Sequence, residues 1–130
     1  MSGRRRTSAD RGSAVVDFAL VGALIVLVLL AVVQLAIAAH VRATLVASAA
    51  EGAREAAAAD RTLADGVRRS RQLVRESLPD AYAADVTAWY EHNADMRTAV
   101  VQVRAPLPVL GLVGPSADLT VVGHALVEPG

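Results

Sequence analysis

One acidic side chain stands alone at the start of a long apolar run. Asp17 is the single charge in the 27 residues from Ser13 to Ala39, and Gln34 is the other strongly polar side chain. An ionised carboxylate at the centre of a bilayer costs about 2.5–3.5 kcal/mol. On a helix Asp17 lies about 6 Å from Ser13, near the start of the run, where that cost is smaller. One interpretation of these residues alone is that Asp17 simply extends to the cytoplasmic interface.

Catalytic and metal-binding patterns are missing from the sequence. The three histidines, His40, His92 and His124, have no second histidine at a ligand spacing such as H-x-x-x-H. We find no G-x-S-x-G motif, Gly-rich phosphate loop or paired acids, and no serine lies beside a histidine. We therefore expect no catalytic residue, no metal, no cofactor and no small-molecule substrate, so the protein is predicted not to be an enzyme.

The composition narrows the classes of partner. The chain has no cysteine, so disulfides and thiolate metal ligands are excluded. It has 13 Arg, 13 Asp or Glu, one Trp, two Tyr and one Phe. This pattern provides neither a folded basic face nor many aromatic rings to stack on bases, so no nucleic-acid partner is expected.

The apolar run itself predicts a membrane span. A helix over residues 13–39 is about 40 Å long, more than the ~30 Å hydrocarbon core requires. Only a helix satisfies the backbone hydrogen bonds of such a segment in lipid. Residues 1–12 hold four Arg and one Asp, and short basic flanks stay in the cytoplasm. We predict a cytoplasmic leader (1–12), a transmembrane helix (13–39) and an extracytoplasmic domain (40–130), which makes a single-pass cell-membrane protein.

The junction between leader and span resembles the class III signal of type IV pilin-like proteins. It reads Arg11-Gly12-Ser13-Ala14-Val15-Val16-Asp17-Phe18. In that family a prepilin peptidase cuts after the Gly, and an acid, usually Glu, is fifth in the mature chain. The resemblance implies cleavage between Gly12 and Ser13, with Asp17 as the assembly acid. The new amine at Ser13 would then meet a carboxylate of the same or a neighbouring copy.

A helical stalk is predicted to follow the span. Val41, Leu45, Ala49, Gly52 or Ala53, and Ala56 recur every three or four residues, which gives a narrow stripe of small side chains. The stretch is rich in alanine and has no proline. Gly52 costs about 1 kcal/mol relative to Ala inside a helix, so we expect a sheet or a partner helix to approach closely there.

The stalk carries a second resemblance. The segment VRATLVASAAEGAREAAAAD, after an apolar anchor, is similar to the TadE-like family of the tight-adherence (Flp) pilus system. Its alanine-rich motif A-x-E-G-A-R-x-A corresponds to Ala49, Glu51, Gly52, Ala53, Arg54 and Ala56. Glu51, Gly52 and Arg54 are the family-like residues that we single out. Together with the Gly12–Asp17 start, the resemblance covers Arg11 to about Asp60.

A second helix and three strands are predicted beyond the stalk. Asp60 and Thr62 are candidate N-terminal caps of the helix, and Pro79 is predicted to end it. Its arginines form a solvated face, and its apolar face carries Leu63, Val67, Val74 and Leu78. Strands are predicted over 85–90, 97–104 and 119–127, the first two joined by a loop of about five residues. The fold class is therefore α+β, with the stalk helix packed on a small three-stranded antiparallel sheet.

The apolar segment 107–113 between the last two strands is not predicted to be a helix. Two hypotheses fit it. The segment either folds back over a sheet edge or the core, or it forms a docking surface for a partner or for lipid headgroups.

Three functional hypotheses follow. The first is a TadE-like pseudopilin or minor pilus component that acts in assembly of an adhesive pilus or a related secretion apparatus. The resemblance implies other pilus subunits, assembly-platform proteins and a prepilin peptidase as partners, in addition to the membrane. The second is a membrane-tethered binding module unrelated to pili. The third is a secreted domain released near Ala38, because Ala36-Ile37-Ala38 could serve as a signal-peptidase site.

Overall fold

The computed structural model describes residues 4–107 and 118–129, with side chains from residue 8 onward. Its elements in chain order are helix α1 (Arg4–Ala57), helix α2 (Leu63–Ser77), a short 3₁₀ turn (Asp80–Ala83), and strands β1 (Asp85–Asn93), β2 (Met96–Pro106) and β3 (Asp118–Leu126). The strands form one antiparallel sheet in the order β1-β2-β3. The predicted α+β class is confirmed. The chain divides into two compact units, residues 1–36 and 37–130.

The first unit consists of the N-terminal part of α1. From Val15 to Leu35 its large apolar side chains are at least half exposed, and Phe18 reaches 82%. A helix that is apolar on every side needs either a protein core or lipid around it.

The second unit has its own core, built where α1 meets the sheet. The predicted stripe Val41, Leu45, Ala49, Ala53 and Ala56 is buried to 4% exposure or less. Four of these residues belong to one buried cluster that also includes Val101, Val103 and Val121 of the sheet; the four are Val41, Leu45, Ala49 and Ala53. The stripe predicted from spacing is therefore confirmed as the sheet-facing side of the stalk.

Helix α2 starts at a capping box. The Thr62 hydroxyl accepts a hydrogen bond from the Asp65 backbone N–H, and the Asp65 carboxylate accepts one from the Thr62 backbone N–H at 2.9 Å. Donation from Thr62, first from its backbone and then from its hydroxyl, lowers the pKa of Asp65, and Arg68 adds to the effect. Of the two predicted caps, Thr62 is the one that acts. Asp60 adopts a left-handed conformation instead, with φ of 62°.

The hairpin between β1 and β2 is tighter than predicted. Pairing continues to Asn93 and Met96, so the loop has two residues instead of about five. Ala94 closes it at φ of 52°, a conformation that favours glycine. The sequence Asn-Ala-Asp contains no glycine, so the usual signal for a two-residue turn is missing. Of the predicted 107–113 segment, residues 108–113 lie outside the described residues, so both hypotheses about it stay open.

Candidate membrane-anchor and stalk site

The predicted processing residues all lie in exposed helix. Gly12, Ser13 and Asp17 belong to α1, and the side chains of Ser13 and Asp17 are exposed. A Cβ built on Gly12 would meet nothing within 4 Å. Packing within the described chain therefore does not require glycine at this position. The roles given to these three residues stay predictions.

The apolar half of the same helix fits a membrane span. Within the described residues, one helix, Ser8–Ala57, is long and apolar enough to cross a bilayer. The most apolar stretch of 18 residues in this helix contains no buried residue. Leu24 is 60% exposed and Leu35 72%. A water-facing surface of this kind would be far larger than the few hundred Å² that soluble monomers expose. One long apolar N-terminal helix therefore fits a single-pass membrane protein.

Gly52 lies at a close contact between α1 and α2. A Cβ built there would be 2.7 Å from the Gly66 carbonyl oxygen and 2.8 Å from the Ser70 Cβ. A Cβ on Gly66 would in turn be 2.5 Å from the Gly52 carbonyl oxygen and 2.6 Å from the Ala56 Cβ. Real side chains essentially never come so close, so α1 and α2 touch backbone to backbone here. The close approach predicted for Gly52 is confirmed, and its partner is α2.

The charged residues of the motif, Glu51 and Arg54, are more exposed than Gly52. Arg54 donates to Glu51 at 3.1 Å, with 72% and 45% of the two side chains exposed. Arg61 reaches Glu55 at 3.4 Å. Exposed pairs of this kind contribute about 0–1 kcal/mol. The pair between Arg54 and Glu51 therefore contributes little to the stability of the head.

Glu51 also borders a groove between α1 and α2. The groove has a volume of about 420 Å³, and its lining includes Thr44, Ser48, Arg69 and Glu76. Ser48 is itself 3% exposed and donates to the Thr44 carbonyl oxygen at 2.8 Å. The groove mixes one cation with two acids, so it has no strong preference for ligands of one charge.

Two further features of the head were not predicted from the sequence. A Cβ on Gly123 would be 2.4 Å from the Ala49 carbonyl carbon and oxygen, so β3 touches the backbone of α1. Ser70 is fully buried, and within the described chain its hydroxyl is a buried side-chain oxygen with no hydrogen-bond partner. Gly66 inside a helix and Gly123 inside a strand were the available signals, because each costs stability unless a backbone approaches closely.

A comparison with protein-family models finds a match in the N-terminal part of the chain. The model described as "TadE-like protein" matches residues 12–54. Residues 12–54 are therefore similar to the TadE-like family. The resemblance predicted from sequence is therefore confirmed over about a third of the chain. All six predicted site residues lie within the match: Gly12, Ser13, Asp17, Glu51, Gly52 and Arg54.

The TadE-like match suggests involvement in tight-adherence pilus systems in general, and association with the membrane and with pilus components. No curated protein and no solved structure matches the chain.

The histidines are spread over the fold. His40 lies on α1, His92 on β1 and His124 on β3, and all three side chains are exposed. Within residues 4–107 and 118–129, no group of three or more His, Asp or Glu side chains is placed to hold a metal ion. The predictions that the protein binds no metal or cofactor and is not an enzyme stay predictions.

Proposed function

We propose that this protein is a TadE-like pseudopilin, a minor or accessory component in assembly of a tight-adherence pilus or a related secretion apparatus. The observation that supports this most is where the family match falls. It starts at Gly12, runs through the exposed apolar part of α1, and ends at Arg54 on the stalk. A subunit of this kind anchors by the first part of the helix and presents a folded head on the second.

The proposed arrangement in the membrane has three parts. Residues 1–12 form the cytoplasmic leader, 13–39 the transmembrane helix and 40–130 the extracytoplasmic head. The four arginines of the leader support this orientation, because short basic flanks stay in the cytoplasm. The head would supply contacts to other subunits and to assembly-platform proteins, with no catalytic role.

Processing by a prepilin peptidase is the second part of the proposal. Cleavage after Gly12 would give an ammonium group at Ser13, one helical turn from Asp17. In the low dielectric of the bilayer edge, an ammonium and a carboxylate attract each other more strongly than in water. The pair, within one copy or between neighbours, would offset the cost of placing Asp17 near lipid.

Intact mass of the membrane-extracted protein tests the processing step. A mature chain that begins at Ser13 supports the proposal. A start at Met1 or Ser2 indicates an uncleaved anchor, and a start at Ala39 a secreted domain. Gly12→Val should block the cleavage, whereas Gly22→Val should not. The two variants are matched, because a Cβ at either position meets nothing within 4 Å.

Co-purification tests the role of the acid. Asp17→Ala should reduce recovery of partner subunits with the tagged protein, whereas Asp17→Glu should retain it. In a host that builds these pili, removal of the protein should abolish surface filaments, and the wild-type gene should restore them. Unchanged recovery with Asp17→Ala would show that the carboxylate has no assembly role.

A further inference from the structure

Strand β3 is an edge strand of the sheet. It pairs with β2 on one side, and no described strand pairs with it on the other. Such a strand presents a row of backbone N–H and C=O groups without partners in the sheet, which another extended chain can bind. We call this row the outer edge of β3.

The register shows which residues form the outer edge. Arg97 and Val127 face each other in continuation of the pairing between β2 and β3, and the Val127 N–H donates to the Arg97 carbonyl oxygen at 2.8 Å. Because hydrogen-bonded and non-hydrogen-bonded pairs alternate along an antiparallel ladder, every second residue of β3 points its backbone groups away from β2. These residues are Thr120, Val122, His124 and Leu126. Glu128, the next in the series, agrees, because its N–H donates outside the sheet to the Ala57 carbonyl oxygen at 3.0 Å.

The outer edge is unprotected within residues 4–107 and 118–129. In this part of the chain, no backbone hydrogen bond outside the sheet reaches those four residues. The segment 119–127 also lacks the usual means of blocking an edge, because it contains no proline, no Asp, Glu, Lys or Arg, and no bulge in its pairing with β2. The outer edge therefore suits an extended chain that carries no charge.

The stalk provides an apolar surface beside the outer edge. A Cβ built on Gly123 would be 2.5 Å from the Ala50 backbone N, so this part of α1 lies over β3. Ala50 is half-buried, and Val46, one turn earlier, is 42% exposed. Both lie on the flank of α1 away from Gly52, which meets α2, and α2 packs against β1 and β2. A strand added beside β3 would pack its covered side chains on Val46 and Ala50.

The direction of β3 disfavours antiparallel pairing with β3 of a second copy. Ala49 lies at Gly123 and Ala57 at Glu128, so β3 and the stalk run in the same direction. Two copies with antiparallel β3 strands would therefore have stalks that point in opposite directions. Anchors in one bilayer do not allow this, a step that rests on the membrane anchor of the proposed function.

A different subunit is free of this restriction. Parallel pairing with β1 of a second copy would bring Asp85 and Glu91 into a neutral contact, and parallel ladders are slightly less stable per residue. We propose that the outer edge of β3 binds an uncharged, extended segment of a different subunit, which adds to the sheet as a fourth strand antiparallel to β3. Main-chain hydrogen bonds then supply affinity, and alternate side chains supply specificity.

A peptide that has one blocked edge tests this on the full-length protein in detergent. The probe is a short capped peptide of alternating threonine and valine, N-methylated at every valine so that it cannot stack into larger sheets. Its threonines would pair with the outer edge, and its valines would point to Val46 and Ala50. The peptide should bind, and its analogue N-methylated at every residue should bind at least about tenfold more weakly. Equal binding of the two peptides would overturn the proposal.

Two exposed histidines provide matched variants. His124→Pro removes an N–H of the outer edge, whereas His92→Pro removes an N–H that points away from β2 on the other edge strand, β1. Proline is tolerated where the N–H of an edge strand faces outwards, and Trp89 fluorescence in urea checks that both variants fold. His124→Pro should weaken peptide binding at least about tenfold, and His92→Pro should change it less than about twofold. Equal effects of the two variants would contradict the proposal.

Val46→Glu gives a second test that leaves the strand unchanged. It places a charge where the peptide valines would pack, and it should also lower binding at least about tenfold. Unchanged binding to this variant would overturn the proposed position of the fourth strand.

Other occupants give different results. Cross-linking of Thr120→Cys between two copies in membranes would show that a second copy holds the edge, and would overturn the proposal. So would peptide binding that appears only after residues 108–117 are replaced by a Gly/Ser linker, because the chain's own segment would then be the occupant. The membrane fraction and the N-terminal mass, measured on the same samples, report separately on the proposed function.

Discussion

The two halves of α1 are one continuous helix with opposite side-chain chemistry. Over residues 15–35 the surface is Leu, Val, Ile and Phe, and it is exposed on all sides. Over residues 41–57 one stripe consists mostly of alanine and is buried. Large side chains suit a helix that contacts mobile lipid tails, whereas small ones let a strand or a second helix touch the backbone. The same helix is thus adapted to two different surroundings.

This contrast predicts that one substitution has different consequences in the two halves. The two halves contain matched residues, which makes the comparison sharp. The sole tryptophan, Trp89, lies on β1 and reports unfolding of the head by fluorescence in detergent.

Leucine truncation should give the largest difference. Leu45→Ala removes a fully buried side chain and should lower the free energy of unfolding of the head by about 3 kcal/mol. Leu24→Ala, at a position 60% exposed, should leave that free energy unchanged within about 0.5 kcal/mol. Urea titration of both variants measures this. Equal losses of unfolding free energy in Leu45→Ala and Leu24→Ala would contradict the proposed difference between the two halves of α1.

Glycine replacement should give the next largest effect. Gly52→Ala places a Cβ 2.7 Å from the Gly66 carbonyl oxygen, so we expect a loss of about 2 kcal/mol in unfolding free energy. Gly22→Ala is the same change in the same helix with nothing within 4 Å, and it should be neutral for the head. The same titration compares them. A neutral Gly52→Ala would show that α2 does not pack against this residue.

The cap of α2 should have a smaller effect. Thr62→Ala removes the hydroxyl that accepts from the Asp65 N–H, and should cost about 1 kcal/mol. Thr62→Ser keeps the hydroxyl and should restore most of the stability. If the two variants unfold at the same urea concentration, the cap does not help to hold α2 against the stalk.

Acid should have the smallest effect, with a defined sign. Hydrogen bonds from Thr62 lower the pKa of Asp65 in the folded head. Because the pKa of Asp65 is lower in the folded state, its ionised form stabilises the folded head fully at pH values above the unfolded pKa of about 4. This stabilisation is lost as the pH falls through the folded pKa. Thermal unfolding of wild type should therefore weaken more steeply below about pH 4 than that of Asp65→Asn. Parallel pH profiles would contradict this.

Sequence reasoning was most successful where a pattern repeats. The Val41-to-Ala56 stripe and the close approach at Gly52 were predicted, because helical spacing and a misplaced glycine have local signals. For α2 the prediction was less complete. Val74 is fully buried, whereas Leu63, Val67 and Leu78 are only half-buried. The buried line runs through Gly66 and Ser70, which hydropathy does not mark as core.

Other features depend on contacts that sequence does not display. The two-residue hairpin at Ala94 lacks the glycine that usually marks such a turn. Gly123 is needed because it contacts the backbone of Ala49, which lies some seventy residues earlier in the chain. The processing residues Gly12, Ser13 and Asp17 were singled out through a resemblance, and in the structure they are exposed helix without distinctive geometry.

Cysteine accessibility along α1 tests the central claim, that the first half of this helix spans a membrane, most directly. In sealed right-side-out vesicles, a membrane-impermeant maleimide should label Ala43→Cys at once. Ser8→Cys, in protein retaining its leader through Gly12→Val, should be labelled only after the vesicles are opened. Leu27→Cys should resist labelling until detergent is added. Rapid labelling of Leu27→Cys in intact vesicles would contradict the account.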